Sequence, residues 1–192
     1  RQDKEIIKVH NLRRMFCDFV AVDKTSFTIQ QGEIFGLLGP NGAGKTTTFR
    51  MLCGLLPATD GELEVAGVNL RTAAASARKR IGYVAQKFSL YGNLTVKENL
   101  VFFGRAYGLQ NKKLQQRIDE VCNEFSLEKY FTSPTGQLPG GFKQRLSMAA
   151  GLLHEPEILF LDEPTSGSDS IARREFWRRI TALAVEGTTI II

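Results

Sequence analysis

Apolar positions along the chain follow two rhythms, one of strands and one of helices. Residues 6–12, 25–30 and 34–38 are short runs of branched and aromatic side chains that predict strands, the last two parted by the turn-like Gln31-Gly32. A helix is predicted over 44–52, directly after the third strand, and Leu63-Glu64-Val65 with Val68 flank Gly67 as a small hairpin. Residues 73–80 read as helix and 81–85 as a short strand. The period then changes, because 95–109 and 112–125 place apolar residues three and four apart, and Thr95 with Glu98 fits a capping box. Residues 142–153 continue the helical pattern. Ile158-Leu159-Phe160-Leu161 is an unbroken apolar run of the kind buried on both faces of a sheet; 170–185 is helical, and 188–192 opens a β-branched strand. The pattern predicts one β/α unit carrying a helical middle third, with no internal repeat and no linker between independent domains.

Composition excludes several classes. Hydrophobic residues make up 43% and charged residues 23% of 192, a globular balance. No apolar run approaches the roughly 18–20 residues of a bilayer span, and the first residues lack a signal-peptide core, so the chain is expected neither to cross a membrane nor to be exported. The net charge of +5 permits an anionic partner. The basic clusters Arg78-Lys79-Arg80, Lys112-Lys113, Arg173-Arg174 and Arg178-Arg179 are scattered among acids, which reads as solvated helix faces rather than a nucleic-acid stripe. Cys17, Cys53 and Cys122 are odd in number and far apart, which suits neither a disulfide framework nor a zinc site and predicts reduced, mostly buried thiols. Arg1 is not an initiator Met and Ile192 ends within an apolar run, so the reading is of part of a longer chain.

Two segments carry chemistry. Gly39-Pro40-Asn41-Gly42-Ala43-Gly44-Lys45-Thr46 fits G-x-x-x-x-G-K-[ST], followed by Thr47, between a predicted strand and a predicted helix. In such a loop the glycines let backbone N–H groups approach phosphate, the lysine reaches the outer phosphates, the threonine hydroxyl serves Mg²⁺, and the helix N-terminus faces the anion. The second segment is the strand 158–161, which ends abruptly in Asp162 and Glu163. Ligands of open parallel sheets sit at strand C-termini. Asp162 there suits Mg²⁺, and Glu163 suits a water attacking the γ-phosphate.

With these motifs in place, the chain resembles over essentially its whole length the ATP-binding domain of ATP-binding cassette (ABC) transporters. Phe16 matches the family's adenine platform, Gln86 its Q-loop, Leu138-Pro139-Gly140-Gly141-Phe142 its signature motif, and Ser166-Gly167-Ser168-Asp169 its D-loop. The resemblance implies an α/β fold of the ABC type of P-loop NTPase: a β/α core, about 1–86 and 155–192, with an N-terminal antiparallel β part and a helical subdomain over about 87–154. It implies ATP and Mg²⁺ as cofactors. It further implies Glu163 and Gln86 as catalytic residues, with Gln86 touching Mg²⁺ and the attacking water, and Gly140 and Gly141 laid on ATP held by a second, head-to-tail domain. The wording of the phosphate loop and of Asn93-Leu94-Thr95-Val96-Lys97-Glu98-Asn99-Leu100 looks like ABC-2-type exporters of drugs. Leu138 to Arg145 is similar to a subgroup with two fused ATPase domains.

The implied function is ATP hydrolysis that powers export of a small molecule through a separate membrane-spanning partner, at the cytoplasmic face of the inner membrane. A soluble ABC ATPase acting on nucleic acid or ribosomes, and a non-hydrolytic ATP-binding module, stand as alternatives. Only 52 positions separate Gln86 from Leu138, which leaves no room for the long coiled coils of chromosome ATPases, and no nucleic acid is expected. The chain departs from the family at Pro139, where Ser is usual, at Phe142, where Gln is usual, and at Ser168, where Leu is common. The family's switch histidine would follow Ile192; His10 and His154 read as structural or solvent-facing. Pro139 is expected in the first turn of its helix.

Overall fold

The computed structural model describes residues 4–37, 43–85, 89–162 and 170–192. Its N-terminal part is a long hairpin in which β1 (Glu5–Phe16) pairs antiparallel with β2 (Phe19–Gln30) across a two-residue turn. Cys17 in that turn has φ of 52°, the left-handed backbone short hairpin connections demand. Both strands outrun the expected 6–12 and 25–30. Asn11 and Lys24 adopt φ of 47° and 48°, and the pairing slips between Val9 and Leu12 and again between Leu12 and Arg14. Each slip disturbs the alternation of inward and outward side chains, so the strand pattern fades past Leu12 while the pairing continues. The strands β4 (Asp60–Val65) and β5 (Val68–Asn69) complete a sheet of order β2-β1-β4-β5.

The second sheet has the order β3-β8-β7-β6, built from β3 (Ile34–Phe35), β6 (Ile81–Val84), β7 (Ile158–Leu161) and β8 (Thr189–Ile191), each parallel to its neighbours. The first of these is shorter than the expected 34–38, although the Leu37 N–H still donates to the Ile192 carbonyl at 2.9 Å; Leu38 lies outside the described residues. Alternation along β7 divides two cores. Ile158 and Phe160 face a core shared with Phe49, Met51 and Leu52 of α1 (Ala43–Leu52). Leu159 and Leu161 face a core formed with α5 (Gly140–Leu152) and α6 (Ser170–Val185). A strand covered on both faces has no polar positions to spare, which is why this run is wholly apolar.

Helix α2 (Leu70–Arg78) begins three residues before the expected 73–80, because the Asn69 side chain caps it by accepting from the Arg71 N–H at 2.9 Å. Ala73, at φ −140°, kinks it, and the expected start falls at that kink. The middle third is helical as expected, with α3 (Val96–Ala106) and α4 (Asn111–Glu124) packed together and α3 also on α5. The capping box forms: Thr95 Oγ1 accepts from the Glu98 N–H at 3.1 Å, and Glu98 Oε1 accepts from the Thr95 N–H at 3.0 Å. Donation from the Thr95 N–H, and then from its hydroxyl, favours the ionised form and holds the Glu98 carboxyl below its ordinary pKa. Buried Arg117 of α4 donates to the Leu152 and Leu153 carbonyls, each at 2.8 Å, and so closes the C-terminal end of α5.

At the crossing of α5 over β6 the backbones nearly touch. A methyl group on Gly82 would lie 2.5 Å from the Gly151 carbonyl oxygen, and one on Gly151 would lie 3.2 Å from Val84 Cγ2. Larger residues would hold the helix off the sheet.

His154, just past α5, is a structural residue. Its ring stacks on Tyr107 with centroids 3.7 Å apart, and Nε2 lies 2.8 Å from the Ile81 carbonyl. Burial, aided by the Arg117 charge, lowers its pKa from the ordinary 6.5, against the raising effect of the Ile81 bond. Above that value the imidazole is neutral folded or unfolded. As pH falls below it the unfolded chain takes the proton first, so stability is expected to decline until the folded-state pKa is passed. Denaturation midpoints followed from about pH 7 to about pH 5 should show this slope, reduced in His154→Gln.

Candidate functional site

All four strands of the second sheet run in one direction, so their C-terminal ends share one edge. The Gly-rich segment follows β3, Gln86 follows β6, and Asp162 follows β7. With β8 between them, β3 and β7 are two strand spacings apart, or about 10 Å. The same edge thus holds the strand ends from which the Gly-rich segment and the segment with Gln86 continue, and Asp162 itself.

Gly39, Pro40, Asn41, Gly42, Gln86 and Glu163 lie outside the described residues, as does Ser166-Gly167-Ser168-Asp169. Ala43 opens α1, and Gly44, Lys45, Thr46 and Thr47 form its first turns. Lys45 and Thr46 are exposed, whereas Thr47 and Thr48 are buried, the latter donating its hydroxyl proton to the Gly44 carbonyl at 2.8 Å. A methyl group on Gly44 would sit 3.0 Å from the Ala21 carbonyl oxygen, so β2 lies close against the start of α1. An exposed cation and hydroxyl at a helix N-terminus form an anion-facing end.

Asp162 is half-buried at the end of β7, and its N–H donates to the Val84 carbonyl at 3.0 Å, carrying the β6·β7 ladder to the sheet edge. Two residues past Phe160, its side chain falls on the α1 face. There it meets Tyr83, which sequence reasoning passed over. The Tyr83 hydroxyl donates to Asp162 Oδ2 at 3.1 Å. Its ring is 6.2 Å from that of Phe49, which in turn packs edge-on against Phe160 at 5.6 Å. Burial and then the Asp162 charge push the phenol up to about 12, so it stays a donor at neutral pH. The same causes, in the same order, push the buried Cys53 thiol up. The only sequence signal for Tyr83 is an aromatic with a polar tip near the end of an otherwise apolar strand.

Phe16 closes the hairpin tip opposite Phe19, the two rings 43% and 59% exposed, with the Arg14 guanidinium 4.7 Å from the Phe16 centroid. An aromatic held by strand pairing with an open face is a stacking surface. Pro139 sits one position earlier than expected, at the N-cap of α5, since its ψ of 148° is extended rather than helical. Its carbonyl accepts from the Phe142 and Lys143 N–H groups at 2.9 and 3.1 Å. Gly140 and Gly141 therefore begin the helix. Their N–H groups have no partner within it, and a methyl group on either would meet nothing within 4 Å. No hydrogen bond or ion pair among the described residues joins these glycines to Lys45, Thr46 or Asp162.

A parallel sheet with a Gly-rich strand-to-helix turn and an acidic strand end on one edge, beside an antiparallel sheet and a helical insert, defines a P-loop nucleotide-binding domain of the ABC type. The chain belongs to the ABC transporter family, whose model matches residues 22–166. Over 97% of its length it is 50% identical to the probable multidrug ABC transporter ATP-binding protein YbhF of Escherichia coli (strain K12), covering 32% of that protein. It is 42% identical, over 97% of its length, to the Nod factor export ATP-binding protein I of Sinorhizobium fredii (strain NBRC 101917 / NGR234), covering 54% of it. The chain thus spans about a third to a half of these relatives. Among solved structures it is similar to cbiO1 from Clostridium perfringens, part of the ABC transporter complex cbiONQ, with a TM-score of 0.88 and 30% identity over 100% of this chain and 78% of that one.

Proposed function

We propose that this chain is the ATP-hydrolysing part of an exporter, driving a small molecule through separate ABC-2-type membrane-spanning subunits. The carrying observation is the shared edge on which α1 begins and β7 ends in Asp162. Two relatives named for multidrug transport and Nod factor export support the export half of the reading. In this reading the chain is a peripheral subunit at the cytoplasmic face of the membrane; no helix among its described residues is long and apolar enough to cross one.

In this reading the core is about 1–86 with 155–192, and the helical subdomain is about 87–154. Gly39 through Thr47 cradle the ATP phosphates, Lys45 clamps the outer ones and Phe16 stacks on adenine. The Thr46 hydroxyl and the Asp162 carboxylate are hard oxygen donors that fit Mg²⁺, and Gln86 completes that set. The ion supplies charge neutralisation on the phosphates when bound. Glu163 accepts the proton of the attacking water. Gly140 and Gly141 bring their open helix N-terminus to ATP on a second domain, separate or fused.

The membrane partner docks against the helical subdomain. Tyr91 and Phe102, 47% and 48% exposed and packed edge-on at 5.2 Å, supply an apolar face there. Buried Asn99 fixes it, since Asn99 Nδ2 donates to the Tyr91 carbonyl at 3.0 Å and Oδ1 accepts from the Tyr91 N–H at 3.0 Å.

Lys45→Ala tests the site. Losing a charge-assisted contact of about 1.5–3 kcal/mol is expected to weaken ATP binding by about 10- to 150-fold in titration calorimetry of the intact protein. Unchanged affinity would overturn the assignment of the loop.

A further inference from the structure

The two oxygens of the Asp162 carboxylate are not equivalent. Oδ2 accepts the Tyr83 hydroxyl at 3.1 Å, while no described partner engages Oδ1. The bond joins residues 79 apart in sequence and exists because β6 and β7 pair in parallel with Tyr83 beside Phe160. Tyr83 has little freedom to leave, since its strand is hydrogen-bonded to β7 and its ring lies against Phe49 of α1, the helix that carries Lys45 and Thr46. A free carboxylate at a strand end can turn about its side-chain torsions and offer either oxygen, or both. One held by a fixed donor keeps one orientation, in which Oδ2 already shares a lone pair and Oδ1 keeps both of its own.

We propose that Tyr83 is a positioning residue that locks the Asp162 carboxylate through Oδ2 and so presents Oδ1 to the hydrated Mg²⁺ of bound ATP. This rests on the reading of Asp162 given above. Tyr83 touches neither nucleotide nor metal. Its hydroxyl tunes the metal requirement, while the phosphate loop and Phe16 hold the nucleotide itself. The hydroxyl removed in Tyr83→Phe is the only polar atom of its side chain, and the ring that packs on Phe49 remains.

The test separates metal from nucleotide. In the intact protein, ATP affinity is measured by calorimetry in excess chelator and across a Mg²⁺ titration, and Mn²⁺ binding to the ATP complex is followed by electron paramagnetic resonance. Tyr83→Phe is expected to leave chelator-state ATP affinity unchanged, to raise the Mg²⁺ concentration for half-maximal tightening by about threefold to tenfold, and to weaken Mn²⁺ binding equally. In an Asp162→Asn background the same change should add nothing, because the locked carboxylate is gone. Equal metal dependence in wild type and Tyr83→Phe, a loss shared equally by chelator-state binding, or an undiminished effect in the Asp162→Asn background would each overturn the proposal. A wild-type protein whose ATP affinity ignores Mg²⁺ would instead remove the underlying assignment of Asp162, and the role of Tyr83 with it.

Discussion

Glu163→Gln in the intact protein is expected to lower ATP turnover by about 10²- to 10⁴-fold, the usual worth of a positioned proton acceptor, while ATP binding persists. Glu163 lies outside the described residues, and its assignment comes from its place in the chain. It immediately follows Asp162, whose N–H bond to Val84 carries the ladder to the edge where the Gly-rich segment also emerges. An amide there keeps size and hydrogen-bonding reach but does not accept the proton of the attacking water. Since the charge removed is not one that grips the phosphates, ATP should accumulate unhydrolysed, and paired domains should stay paired. Phosphate release measured beside retained ATP distinguishes this from a folding defect, in which both fall. Turnover at the wild-type rate would take Glu163 out of the mechanism.

Phe160→Ala is expected to be the most damaging change to stability, at about 3–5 kcal/mol. Phe160 is fully buried in the middle of β7, between β8 and β6, with Phe49 edge-on at 5.6 Å. A strand clamped by ladders on both sides has little room to collapse into the cavity, so the cost should fall at the upper part of the range. For a domain of this size the melting temperature drops by about 6–20 °C, measurable by calorimetry. Phe160→Leu keeps most of the volume and should recover most of the loss. Because Phe49 sits on α1 and Phe160 two residues before Asp162, the alanine variant should also weaken Mg²⁺–ATP binding at temperatures where it remains folded.

The legible parts of the site were those written within a few residues. A Gly-rich turn between a strand and a helix, and an apolar run ending in two carboxylates, each need only local sequence; the strand, the helix, the apolar run and Asp162 stand in the described structure in the order expected. The capping box at Thr95 and Glu98 was readable for the same reason. What escaped depends on register. The outer halves of β1 and β2 were hidden because Asn11 and Lys24 break the alternation while the strands stay paired. The start of α2 turned on one Asn69 side chain, and Pro139 on a ψ angle rather than on residue type. The bond between Tyr83 and Asp162 needs the parallel pairing of β6 with β7, which no spacing along the chain reveals.

The crossing of α5 over β6 has a mechanical consequence. Gly151 lies eleven residues from Gly140, roughly 16 Å along the helix axis. Behind the crossing, Arg117 grips the last carbonyls of α5, so that end is a fulcrum, while the end bearing Gly140 and Gly141 is the long arm of a lever. A tilt of only about 5° about the crossing swings the two glycines through roughly 1.4 Å, half the length of a hydrogen bond. The close approach of Gly82 and Gly151 thus ties the orientation of the whole helix, and with it the position of Gly140 and Gly141, to β6, the strand that leads into Gln86.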